Sequence, residues 1–506
     1  MRRLALVTAV ALTACGGTAS PTTDAPSTTV APTSTTAPTT TVPAPATTAG
    51  STTTTTEAAP TTTLPEVFAG VRDGVGGASL GDSYYPRLGN SGYDVLDVVL
   101  DVDFRELLQG SFSGVATLTI EPTETLTSFV LDTGTLLLAE VRIDGEPVAF
   151  EEESAEEHRI TPSTPVEEPF ELAISYDGVP EPKRDSAIPF GVGLRPAADS
   201  WYAVSEPSGA TTWFPANDHP LDKATYTVRL TVEEGFVGIS GGLLTAVDPA
   251  EGRGTTYTWS SEFTMTSYLV PLAVGDFDRI ERGLVQGILV RDYVDPDIDP
   301  PLLEDLDRVP EALEWMISVF GPYPFEAYGT LALDTDFGGA LETQTMSTHG
   351  PSALGMPVLI HELAHQWFGN SVSVADWSDI WLNEGFATYA EWLWIEHDRG
   401  RALYDAVTAS MYEAYRQLPA PGNPRPDDLF NGGVYVGGAS VLHALRVEVG
   451  DEAFFEVLRS WPSEQAYANG TTEEFVELVN RVSERDLSGF LEVWLAGDGP
   501  AYVPLP

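Results

Sequence analysis

His361-Glu362-Leu363-Ala364-His365 is followed, after residues 366–383, by Glu384 within Trp381-Leu382-Asn383-Glu384-Gly385-Phe386-Ala387. Both stretches read as helices. At about 100° of rotation per residue, His361 and His365 fall about 40° apart on one helical face, so their imidazole nitrogens can converge on one point. The apolar residues around Glu384 also recur at helical spacing, which puts that carboxylate on a second helix. Two histidines and a carboxylate, with a fourth position left for water, are the ligand set of a catalytic zinc site. The pattern therefore predicts one Zn2+ held by His361, His365 and Glu384. Zinc lowers the pKa of its water from about 15.7 to about 7. Glu362, beside the ligands, is then placed to take that water's proton and pass it to a leaving amine, the chemistry of peptide hydrolysis. Histidine is scarce, seven in 506 residues, so the motif stands well above the background of the chain.

Periodicity divides the chain. Helical spacing begins in residues 302–320 and covers most segments from Pro357 onward. Residues 328–334 read as a strand, and Phe337-Gly338-Gly339-Ala340-Leu341-Glu342-Thr343 follows it directly. Glycines there would allow close backbone approach, and an exposed edge would accept an extended peptide; an ordinary turn fits the same residues. Upstream the period is two. Leu96, Val98, Leu100, Val102 and Phe104 share one expected face against Asp97, Asp101 and Asp103. Alternation returns at residues 112–120, 170–176 and 226–232, with turn signals at Asp144-Gly145 and Asp177-Gly178. The expected architecture is an N-terminal antiparallel β domain over 67–290, followed by a mainly helical α+β catalytic domain over 291–506.

The hydrophobic share of 42% is enough to fill real cores. A formal charge of −50, from 75 acidic against 25 basic residues, argues against nucleic acid as a partner. The acidity fits a solvated surface and also fits a field that draws cationic substrates.

Met1-Arg2-Arg3, the apolar run from Leu4 to Leu12 and Leu12-Thr13-Ala14-Cys15 resemble a bacterial lipoprotein signal over 1–15. That resemblance implies cleavage before Cys15, lipidation of its thiol, and an exported protein attached to a membrane. An ordinary secretory signal is the alternative. Residues 16–66 are almost entirely Thr, Pro, Ala and Ser, with little to bury, and read as an extended linker.

The stretch His361-Glu362-Leu363-Ala364-His365-Gln366-Trp367-Phe368-Gly369-Asn370, with the segment around Glu384, resembles the zinc aminopeptidases typified by aminopeptidase N and leukotriene hydrolase. Trp213-Phe214-Pro215-Ala216-Asn217-Asp218 and Met265-Thr266-Ser267-Tyr268-Leu269 extend the likeness, which covers about residues 93–506. The resemblance implies a thermolysin-like catalytic domain of the gluzincin type and peptide substrates with a free N-terminus. It assigns Glu342, in Gly339-Ala340-Leu341-Glu342-Thr343, to the substrate amine, with Gly339 and Ala340 along the substrate backbone. It makes Tyr435 the donor to the tetrahedral oxyanion, and it aligns Glu206 with a second amine-binding acid. Leu341, Thr343 and Gly437 stand where the family commonly has methionine, asparagine and lysine. His349 and His443 lack ligand spacing to the motif and read as structural. A zinc endopeptidase, a non-catalytic peptide-binding lipoprotein and an epoxide hydrolase remain alternatives on the sequence.

Overall fold

The computed structural model describes residues 68–197 and 199–497. The expected signal, Cys15 and the whole of the linker over 16–66 lie outside the described residues.

The first region is a β-sandwich. Its larger sheet runs Leu243–Pro249, Thr255–Thr266, Lys223–Val232, Tyr93–Asp103, Phe112–Pro122, Phe170–Gly178, Leu137–Ile143 and Glu146–Pro147. Neighbours are antiparallel except that Tyr93–Asp103 lies parallel to Lys223–Val232, residues far apart in the chain. The expected alternation holds at Val98, Leu100 and Val102, all buried. It fails at Leu96, which is 39% exposed while Val95 is 3% exposed. A register irregularity between Val95 and Asp97 explains the reversal, because one extra residue flips every side chain before it to the opposite face.

The second region is α+β. Its sheet runs Asp278–Val285, Ile288–Val294, Thr330–Ala332, Ser347–His349 and Ala340–Leu341, with Ala327–Tyr328 also paired to Ile288–Val294. Ala340–Leu341 is the last strand, antiparallel to Ser347–His349. The strand expected over 328–334 is interrupted at Gly329, where a Cβ would sit 1.7 Å from the Arg291 carbonyl oxygen. Gly338 differs from the expectation of close approach. A Cβ there meets nothing within 4 Å, and its φ of +98° is what calls for glycine.

Among the described residues this region has eight α-helices: α1 (Val309–Phe320), α2 (Met356–His365), α3 (Trp381–Arg399), α4 (Arg401–Tyr415), α5 (Gly438–Val449), α6 (Asp451–Glu464), α7 (Thr472–Ser483) and α8 (Ser488–Leu495). Residues 302–308, expected to begin the first helix, belong instead to a 3-10 segment, Pro300–Arg308, that leads into α1. Gly385 of α3 and Gly438 of α5 meet so closely that a Cβ on either would lie 2.8 Å from the other's Cα. A wider pair of residues would push these helices apart.

An apolar cluster joins the two regions. Tyr202, Ile239 and Trp259 of the sandwich pack with Leu331, Leu341 and Met346. A second tie comes from the segment preceding the first strand. The buried Asp82 carboxylate accepts from the Tyr84, Tyr85 and Trp377 backbone amides and contacts His219 Nε2 at 3.1 Å. Ser83 meanwhile donates twice to Asp376, which accepts from the Ser378 amide in the turn before α3. The entry to α3 is thereby fixed from outside its own domain.

Candidate active site

Helix α2 buries His361, Glu362 and His365, and the first turn of α3 buries Glu384. Glu384 Oε2 lies 3.2 Å from His361 Nε2 and 3.5 Å from His365 Nε2. Donor atoms of these three residues all fall within 4.8 Å of one another. The opposite ring nitrogens are already engaged: His361 Nδ1 meets Glu391 Oε1 at 2.9 Å and His365 Nδ1 meets the Phe368 carbonyl at 2.9 Å. With Nδ1 donating to these acceptors, each Nε2 keeps a lone pair free to bind a metal. Three converging donors with oriented imidazoles fit zinc in number and type.

Glu391 was not singled out in the sequence reading. A signal existed, since it stands two helical turns after Glu384 and so on the same face of α3. What the sequence did not carry was that this face meets His361.

Glu342 and Glu206 are also buried here, one beyond the edge strand and the other in the sandwich domain. Burial raises both carboxyls above their usual range. Glu342 and then Glu384 add to the rise at Glu206, while His365 opposes it at Glu342. Oε1 of each is buried without a hydrogen-bond partner. Buried oxygens of this kind are costly unless a donor arrives. Tyr268, from the Met265–Leu269 stretch, has a buried hydroxyl that is likewise unpartnered, and the fields of Glu342 and Glu206 act on it. Glu362 is pushed up to about 8, chiefly by burial, against the pull of His361 and His365.

Tyr435 occupies a π-helical turn, Gly433–Gly437, that runs into α5. Its ring stacks on His361 with centroids 5.9 Å apart at 27°. Thr343, at the position where the family commonly has asparagine, turns inward. Its hydroxyl donates to the Met346 carbonyl and lies 3.0 Å from Thr348 Oγ1, so it holds the turn after Glu342. Gln366 spans that turn, donating to the Glu342 carbonyl at 3.0 Å and accepting from the Thr345 amide at 2.9 Å. Asn370 Nδ2 donates to the same Glu342 carbonyl at 2.7 Å. His349 and His443 bond the Ala353 carbonyl and the Tyr404 hydroxyl through Nδ1.

Comparison with known proteins agrees with this geometry. The family model described as the peptidase M1 N-terminal domain matches residues 90–269, and that of the peptidase family M1 domain matches residues 304–494. An M1 zinc metallopeptidase from Deinococcus radiodurans, solved with a Tyr-Ser-Ala substrate, is 32% identical with a TM-score of 0.78, and the match covers 85% of this chain and 100% of that one. This chain belongs to peptidase family M1. A two-domain M1 zinc metallopeptidase bound to L-tryptophan is 33% identical with a TM-score of 0.80, over 85% of this chain and 100% of that one. Aminopeptidase M1-B of Oryza sativa subsp. japonica is 28% identical over 325 residues, 58% of this chain and 36% of its own length. The chain thus spans about a third of that plant relative. The M1 assignment identifies His361, His365 and Glu384 as the zinc-binding set of a gluzincin.

Proposed function

We propose that this M1 protein is an aminopeptidase that removes single residues from the free N-terminus of peptides. The observation that carries the reading is the pair of buried, unpartnered carboxylate oxygens on Glu342 and Glu206 beside the zinc-binding side chains. A peptide's α-ammonium supplies the donors that these oxygens lack. At about 4 Å and an effective dielectric of about 20, the attraction to one carboxylate is roughly 4 kcal/mol before desolvation is subtracted.

Zinc held by His361, His365 and Glu384 would supply a Lewis acid and a water acidic enough to react near neutral pH. Glu362 accepts the proton of the attacking water and returns it to the departing nitrogen. Burial lifts its carboxyl toward neutrality, which suits a group that must both take and release a proton. Tyr435, stacked on His361, donates its hydroxyl hydrogen to the oxygen that gains negative charge. The backbone at Gly339 and Ala340, leading into the outermost strand, pairs with the substrate main chain. Among the alternatives, an endopeptidase has no use for Glu342 as an amine anchor.

The deciding experiment compares a short peptide with its N-acetylated form. Cleavage of only the free form supports the proposal; equal cleavage of both overturns it in favour of an endopeptidase.

We also propose export and membrane attachment through lipidated Cys15, on the strength of residues 1–15. Among the described residues no helix is long and apolar enough to cross a membrane. Mass spectrometry of the mature N-terminus tests this reading, and an unmodified Cys15 in cells would end it.

A further inference from the structure

Lysine occurs only at Lys183 and Lys223, although Lys and Arg together number 25. Lys223 opens the strand Lys223–Val232 of the sandwich domain, yet its ammonium serves the other domain. Nζ donates to the carbonyl oxygens of Asn370 at 3.2 Å, Ser371 at 3.0 Å and Ala468 at 2.9 Å. Among the described residues no carboxylate forms an ion pair with it. Three acceptors around one compact ammonium use its three donors, a geometry that a planar guanidinium does not reproduce.

The loop it holds leads into the site. Asn370 follows α2 by a few residues, and its backbone amide bonds the His365 carbonyl at 3.0 Å. Its side-chain amide donates to the Glu342 carbonyl at 2.7 Å, and that is the hydrogen bond of its side chain, because Asn370 Oδ1 is buried without a partner. A continuous path therefore runs from Lys223 through Asn370 to the backbone of Glu342. The neighbouring contacts brace the same seam: Asn469 Nδ2 donates to the Pro220 carbonyl at 2.8 Å, and Tyr467 stacks on Phe263 at 5.2 Å.

We propose that Lys223 is a positioning residue for recognition of the substrate amine, fixing Asn370 so that Asn370 in turn fixes Glu342. The inference rests on the reading of Glu342 as the amine anchor. Lys223 touches no substrate in this scheme. Without its ammonium, three carbonyls at the domain seam lose their common donor and the 369–372 loop loosens. The Glu342 carboxylate then samples positions away from the ammonium. Neither Lys223 nor the Asn370 side chain makes a hydrogen bond to the side chains of His361, Glu362, His365 or Glu384.

The test uses the zinc-loaded full chain and two inhibitors that share a metal-binding group and a side chain. These are leucine hydroxamate and 4-methylpentanohydroxamate, which lacks the amine. In Lys223→Met the inhibition constant of leucine hydroxamate should rise about tenfold, within the roughly hundredfold that a misplacement of about 1 Å can cost. The constant of the des-amino compound should not move. Lys223→Gln, which keeps two of the three N–H donors but not the charge, should give a smaller loss of the same kind and serves if the methionine variant does not fold. In a Glu342→Gln background, Lys223→Met should add little, because both changes act through one group. Equal weakening of both inhibitors, no weakening of either, or additive losses would overturn the inference. If the unmodified protein itself fails to favour the amine-bearing inhibitor, the reading of Glu342 fails instead.

Discussion

Replacing Glu391 with glutamine should weaken zinc binding without unfolding the protein. Glu391 Oε1 lies 2.9 Å from His361 Nδ1, and its side chain is 13% exposed, so little water competes for the contact. A hydrogen bond to a charged group contributes about 1.5–3 kcal/mol, whereas one between neutral groups contributes about 0.5–1.5 kcal/mol. The amide keeps an acceptor oxygen and loses the charge, so the expected deficit is about 1–1.5 kcal/mol, or roughly tenfold in affinity. Glu391→Ala also leaves the buried Nδ1–H without an acceptor and should approach the upper end of the roughly 10–100-fold seen when such outer partners are lost. Competition of apoprotein against a fluorescent zinc chelator gives the dissociation constants, and circular dichroism checks the fold. Zinc affinity in Glu391→Gln equal to that of the unmodified protein would refute the argument that Glu391 orients the imidazole.

Glu362→Gln should lower kcat by about 10²–10⁴ while zinc content and peptide binding persist, measured by steady-state kinetics and metal analysis. A chelator should abolish hydrolysis and lower Tm, and one equivalent of zinc should restore both, since the metal binds the folded state. Asp82→Ala strands the Tyr84, Tyr85 and Trp377 amides and His219, and should cost about 3 kcal/mol or more in urea unfolding. Burial pushes the imidazole of His349 down to about 4. As the pH falls below about 6.5 the unfolded chain takes up this proton first. The stability associated with neutral His349 is therefore full above about pH 6.5 and is lost toward pH 4, at about 1.4 kcal/mol per pH unit. Urea midpoints for the unmodified protein should fall faster over that window than those of His349→Gln; parallel curves would exclude the effect.

The residues themselves determined the zinc-binding set. An i, i+4 pair of histidines lies on one helical face whatever surrounds the helix, and a period of two makes a half-buried strand wherever it occurs. Such signals live within about ten residues, and they carried both the α+β character of the second region and the β character of the first. Tertiary structure decided the rest. Leu96 faces outward because pairing with a neighbouring strand introduces an irregularity that its own alternation does not encode. Glu391 was on the correct face of α3, yet the imidazole it meets belongs to α2. Glu206 approaches Glu342 from another domain, and Lys223 reaches that loop across the domain seam. Convergence of groups more than a hundred residues apart depends on how sheets and helices pack, and local periodicity carries no term for that distance.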